Sequence, residues 1–216
     1  MLNLSQPLIV AAVTANLPTK IREAERVGAD AVELRIDLYD EGEYEALEAL
    51  DALENAETSL PIIATNRSRD QGGEFSGDAG DETERVKLLD SALGKDSVEA
   101  VDIELTADEK HRTKIVNKAE RKGVTSIVSY HDFDATPSDE KLRDVLGRAT
   151  QEGDVGKLAV MPEADEDILR LLRVTLDFDT VCTIAMGEKG TYSRVVAPLL
   201  GSKLTYGSIG EATAPG

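Results

Sequence analysis

The chain has 216 residues, 41% of them hydrophobic, and carries 42 Asp and Glu against 24 Lys and Arg, a formal charge of -18. That length buries one substantial core and is short for two, so residues 1–216 are expected to form a single domain, and the acidity argues against nucleic acid as a partner. One cysteine, Cys182, and two histidines argue against a disulfide framework, a cysteine-rich zinc module and a histidine-based metal site, and they fit a reducing, cytoplasmic setting.

The first residues, MLNLSQPLIVAAV, have no basic stretch, and their apolar run is too short to span a bilayer, so neither a leader nor a membrane anchor is expected. Leu8–Thr14 predicts a first strand, and Pro18-Thr19 opens a helix that Gly28 closes. Ala31–Ile36 predicts a second strand, on which Glu33, Arg35 and Asp37 alternate and therefore share a face. Pro61–Thr65 is the third. Asn66–Gly80 follows as the long irregular segment, rich in glycine and serine, where a lid can sit.

Glu99–Glu104 predicts the fourth strand, and Thr106-Ala-Asp-Glu109 has capping-box spacing ahead of a helix ended by Gly123. Val124–Tyr130 predicts the fifth strand, with His131 just past its end, and Ser138 caps the helix DEKLRDVLGRA. Val155–Met161 is the sixth. A helix then carries acidic residues early (Glu163, Asp165, Glu166, Asp167) and Arg170 and Arg173 late, matching the helix dipole. Thr180–Ala185 and Lys203–Tyr206 complete eight strands, with Arg194 early in the helix between them.

Strands joined by helix-length crossovers pair in parallel, and runs such as LIVAAV and KLAVM are too continuously apolar for a sheet with one wet face. Eight β-then-α units predict a closed (β/α)8 TIM barrel; a doubly wound open sheet is the other architecture with this pattern. The carboxylates are spread over amphipathic helices and not gathered in a tail. They read either as adaptation to high salt or as ordinary solvated faces.

In a barrel the reactive groups stand at strand ends, which narrows the search. Lys157, inside VGKLAVM, is either at a strand entrance with its amine in solvent or directed into the barrel. There desolvation would depress its pKa and make it a nucleophile for a ketone or aldehyde. His131 is either a general base or a strand-end cap, and His111, in the charged stretch DEKHRTK, is expected to face solvent. Arg194 and the helix start around it can hold a carboxylate, while Cys182 reads as a small buried hydrophobe.

Six segments in order carry a resemblance. ELRID from Glu33, TNR ending at Arg67 with the following GGE, SYHDF around His131, KLAVMP from Lys157, MGEKGTYSR ending at Arg194, and the final LTYGSIGEATAPG together resemble the type I 3-dehydroquinases. The resemblance spans nearly the whole chain. It implies a (β/α)8 barrel of the shikimate pathway that dehydrates 3-dehydroquinate to 3-dehydroshikimate without metal or cofactor, and an association into homodimers. It also implies that Lys157 forms an imine with the C3 ketone, that His131 moves the protons, and that Arg194 holds the C1 carboxylate. Glu33, Arg35 and Arg67 match positions that contact hydroxyls or order the polar cluster; Met186 and Tyr206 match the walls of the site, and Thr213 a small hydroxyl residue near the carboxylate.

Two departures stand out. An acidic partner of the histidine is expected before Gly-Gly, and here that residue is Gln71, which can orient the imidazole only by a hydrogen bond. Relatives continue past Ala-Pro-Gly with a further helix, so the last helix of the barrel is expected to be missing from these residues. A class I aldolase would use the same Lys157, but no phosphate loop is evident near the last strands; a catalytically idle ligand-binding barrel is favoured only by Gln71 and the short end.

Overall fold

The structure, a computed structural model, describes residues 1–39, 42–53, 60–75 and 82–209. Eight strands alternate with helices: β1 Leu8–Val13, α1 Leu17–Val27, β2 Ala31–Arg35, α2 Glu43–Leu53, β3 Ile62–Thr65, α3 Glu82–Ala92, β4 Val98–Glu104, α4 Glu109–Lys122, β5 Thr125–Asp132, α5 Asp139–Glu152, β6 Val155–Val160, α6 Asp165–Thr175, β7 Val181–Ala185, α7 Ser193–Leu199 and β8 Leu204–Ser208. All pairings are parallel, in the order β7-β6-β5-β4-β3-β2-β1-β8. A parallel bridge between Val181 and Ser202, with Lys203 N–H donating to Val181 O at 2.7 Å, brings β7 to β8 and rolls the sheet into a barrel.

Local chemistry sets most element ends. In α1 the apolar spacing buries Leu17, Ile21 and Ala24, and Gly28 at φ 83° turns the chain so that its N–H reaches the carbonyls of Ala24 and Glu25. Ser138 caps α5 as the sequence predicts, and Asp167 accepts from the N–H groups of Glu163 (2.9 Å) and Ala164 (3.0 Å) at the start of α6. The capping box expected from Thr106 does not form. Asp108 caps α4 instead, accepting from Lys110 N–H at 2.9 Å, because a carboxylate next to the first turn outcompetes a hydroxyl two residues earlier.

Two apolar layers result. One lies between strands and helices, and the other fills the barrel floor with Val10, Ile63, Ala100, Ile127, Val155, Cys182 and Leu204. Alternation along each strand then lifts the inward positions toward the C-terminal mouth: Ile127 is followed by Ser129 and His131, Val155 by Lys157, and Ala100 by Asp102 and Glu104. An apolar floor thus passes into a polar layer. No helix among the described residues is long and apolar enough to cross a membrane.

Candidate active site

Nine of the ten residues singled out from the sequence surround one cleft of about 630 Å³, solvent at its mouth included: Glu33, Arg35, Arg67, Gln71, His131, Lys157, Met186, Arg194 and Tyr206. Thr213 lies outside the described residues, as does part of the Asn66–Gly80 segment. Phe133 and Gly72 also line the cleft.

Lys157 is buried in the middle of β6, and its Nζ points into the barrel, donating to Asp102 Oδ2 at 2.9 Å and lying 3.5 Å from Glu33 Oε1. The ring of Tyr206 stands 4.1 Å from the same nitrogen. Asp102, fully buried, is held on its other oxygen by Arg67 Nη1 (2.8 Å) and the Ser129 hydroxyl (2.6 Å). Arg67 also reaches Glu104 Oε1 at 3.1 Å, whose second oxygen meets Arg85 of α3 at 2.7 Å. Arg35 grips Asp37 with two bonds, at 3.0 and 2.7 Å, and Asp37 in turn accepts from Arg67 N–H at 3.0 Å.

These buried groups are Glu33, Asp37, Asp102 and Glu104 against Arg35, Arg67, Arg85 and Lys157, four charges of each sign. The balance holds only while Lys157 is protonated, and the local electrostatics reflect this. Burial pushes the Lys157 ammonium toward neutrality, but the Asp102 and Glu33 carboxylates outweigh it, and its pKa is raised. The expectation of a depressed lysine is therefore corrected: the interior that desolvates the amine also supplies its counter-ions. Burial likewise opposes ionisation of Asp102, yet Arg67 and Lys157 hold its carboxyl well below the usual range.

His131 belongs to β5, which runs two residues further than the sequence suggests. Desolvation, then the charges of Arg67 and Lys157, keep its pKa well below the ordinary value, so the imidazole is neutral at pH 7. Gln71 does not orient the ring as expected. Its Oε1 accepts the backbone N–H of His131 at 2.7 Å, an amide that the strand leaves facing the loop. The ring instead stacks on Phe133, with centroids 6.1 Å apart and planes 14° from parallel, and its Nδ1 has no hydrogen-bond partner among the described residues. Gly72 makes room for that stack: a Cβ there would stand 2.2 Å from the Phe133 ring, and one on Gly73 would stand 1.9 Å from Arg67 O.

Arg194 enters from α7, half-buried, with its pKa lowered by desolvation. Cys182 is fully buried on β7 in register with Lys157, and burial pushes its thiol up to about 12, which makes it the inert packing group that the sequence suggests. His111, expected in solvent, is half-buried, with its Nδ1 shielded from water. The sequence reading missed Asp102, Ser129, Arg85 and Phe133. A signal existed for Asp102: it shares the period-2 face of Ala100 and Glu104 within a continuously buried run, where a charge needs a partner.

Comparison with known proteins adds the decisive observation. The family model of type I 3-dehydroquinase matches residues 8–216. The chain belongs to this family. Among its relatives, the 3-dehydroquinate dehydratase of Methanococcoides burtonii is 45% identical over 214 residues, covering 98% of this chain and 89% of that protein. The Halobacterium salinarum protein of the same name is 41% identical over 221 residues, covering 98% of this chain and 92% of its own. In three dimensions the chain superimposes on the 3-dehydroquinate dehydratase of Geobacillus kaustophilus with a TM-score of 0.88 at 29% identity, covering 98% of this chain and 86% of that one. A Clostridium difficile type I 3-dehydroquinate dehydratase with covalently modified comenic acid gives 0.85 at 28% identity, covering 98% and 87%. Within the type I 3-dehydroquinases, then, this chain sets a glutamine at position 71 and a His131–Phe133 stack around a cleft that one lysine lines.

Proposed function

We propose that the chain dehydrates 3-dehydroquinate to 3-dehydroshikimate through an imine formed on Lys157. The hydro-lyase activity, a step of the shikimate pathway, follows from family membership; the covalent route is the reading that the site supports best. The observation that carries it is a single lysine nitrogen, desolvated in a cleft that a neutral imidazole from the neighbouring strand also lines.

The chemistry follows from the neighbours. Lys157 must give up a proton before it attacks the C3 ketone, and His131 is uncharged and able to take it. Condensation expels the ketone oxygen as water, His131 returning the proton it took, and leaves an iminium on carbon 3, an electron sink that acidifies the adjacent C2 proton. His131 removes that proton, then returns one to the departing C1 hydroxyl, which leaves as a second water. Hydrolysis of the product iminium restores Lys157. Arg194 holds the C1 carboxylate at the mouth, and Met186 and Tyr206 wall the ring. Glu33, Arg35 and Arg67 order the polar floor. Thr213 is assigned to the carboxylate by its place in the motif alone.

Reduction with borohydride in the presence of 3-dehydroquinate tests this reading. Peptide mass spectrometry is expected to find a stable adduct on Lys157 and none without substrate; an unmodified Lys157 in an active preparation would exclude the imine.

The surface charge supports a second, narrower reading: the chain is adapted to high salt, in keeping with relatives in Halobacterium salinarum and Haloquadratum walsbyi. From about 0.1 M to about 1 M salt the screening length falls from about 10 Å to about 3 Å, which removes most of the repulsion among surface carboxylates. A gain of about 2 kcal/mol, or about 4–8 °C in the thermal midpoint, is expected between these KCl concentrations. Equal midpoints would leave the acidic faces as ordinary solvated surface.

A further inference from the structure

We infer that Asp102 is a catalytic residue of this site, the fixed counter-ion of the Lys157 nitrogen as ammonium and as iminium. The inference rests on the imine reading above and extends it to a group that the motifs do not include.

The geometry is specific. Asp102 Oδ2 lies 2.9 Å from Lys157 Nζ, the reacting atom, and the other carboxylate oxygen is fixed by Arg67 and Ser129, so the carboxylate cannot swing away as the reaction proceeds. Every other group facing that nitrogen is a weaker or a wrong partner. Glu33 of β2 is farther, at 3.5 Å, and is itself bonded by the Thr65 hydroxyl at 2.9 Å. Tyr206 of β8 offers only the face of its ring, Cys182 of β7 a protonated thiol, and His131 of β5 a neutral imidazole, while Arg67 beyond β3 repels.

Charge accounting shows what such a carboxylate does. Condensation converts an ammonium and a ketone into an iminium and water: three N–H bonds become one, two hydrogens leave with the ketone oxygen, and the nitrogen ends with the +1 charge it started with. The buried cluster, balanced at the start by four charges of each sign, is therefore balanced again at the iminium. Only the neutral amine between them leaves an unmatched negative charge. Asp102 thus resists the deprotonation that opens the reaction and stabilises the cation that drives proton loss from C2.

Asp102→Asn separates these two effects. The amide oxygen can still accept from Arg67 and Ser129, while its NH2 faces the lysine and favours an amine with a free lone pair. Reductive methylation by formaldehyde and cyanoborohydride, mapped to Lys157, reads the uncharged amine, and its rate at neutral pH is expected to rise at least about tenfold. Turnover of 3-dehydroquinate is expected to fall at least about 100-fold in the same protein. A merely structural role would not raise one and lower the other. Ser129→Ala, which removes one bond to Asp102 but keeps the carboxylate, is expected to raise methylation and lower turnover by a few-fold each, and it carries the test if the first variant does not fold. Unchanged methylation and turnover in a folded variant whose parent forms the borohydride-trapped adduct would overturn this inference alone; absence of the adduct in the parent would overturn the imine reading and this one with it.

Discussion

Replacing Lys157 by methionine is expected to cut turnover at least about 10^4-fold while leaving calorimetric binding of 3-dehydroquinate measurable. Methionine fills a similar volume and removes only the nitrogen proposed as nucleophile, so Arg194, proposed to hold the carboxylate, and the walls of the cleft persist. Asp102 keeps Arg67 and Ser129, at 2.8 and 2.6 Å, and the fold survives a buried charge that remains partnered. The pH dependence of stability gives a further readout. Because the pKa of Lys157 is raised in the folded state, its contribution is complete below the ordinary value near 10.5 and is lost as pH rises through the folded value. Parent and variant should differ in urea midpoint at pH 7 and converge in strong alkali. Turnover within tenfold of the parent would remove the covalent route.

Arg67→Ala is expected to destabilise the barrel by about 3–5 kcal/mol at pH 7 and to abolish measurable activity. The guanidinium ties together the end of β3, Asp102 and Glu104 on β4, and Ser129 on β5; alanine leaves Asp102 to Lys157 and Ser129 and Glu104 to Arg85. In the parent, Asp102 titrates well below its ordinary value, so its contribution is complete above about 3.8 and is lost as pH falls through the folded value. Without Arg67 the carboxyl titrates higher, and protonation relieves the unmatched charge. The deficit in urea unfolding should therefore be largest near neutrality and shrink toward pH 4. A deficit below about 1 kcal/mol at pH 7, close to that of an exposed pair, would show that the cluster is far more hydrated than its burial implies.

The barrel was legible because its cause is local and repetitive. Apolar runs such as LIVAAV and KLAVM, separated by amphipathic stretches with glycine ends at Gly28 and Gly123, admit few arrangements other than a parallel sheet covered on both faces. The site was legible where a residue broke its own pattern. Lys157 is a charge in an apolar strand, and Glu33 and Arg35 are charges on a face that alternation directs inward. Asp102 broke its pattern in the same way within VEAVDIEL, but its importance lies in which residue it meets, and that lies 55 positions away on a strand two places along the sheet.

Sequence alone thus determined the architecture and pointed to the lysine, the histidine and the arginines that line the cleft, since each follows from periodicity or from motifs within a few residues. Only the tertiary structure decided their states: that Lys157 is held as an ammonium and not relaxed to an amine, that Gln71 takes the backbone of His131 and leaves its ring to Phe133, and that Arg67 and Arg85 share Glu104. The reason is the range of the interactions. Hydrophobic alternation and helix capping are settled between neighbours in sequence, whereas a pKa is the sum of desolvation and charges that eight separate strands bring to one point.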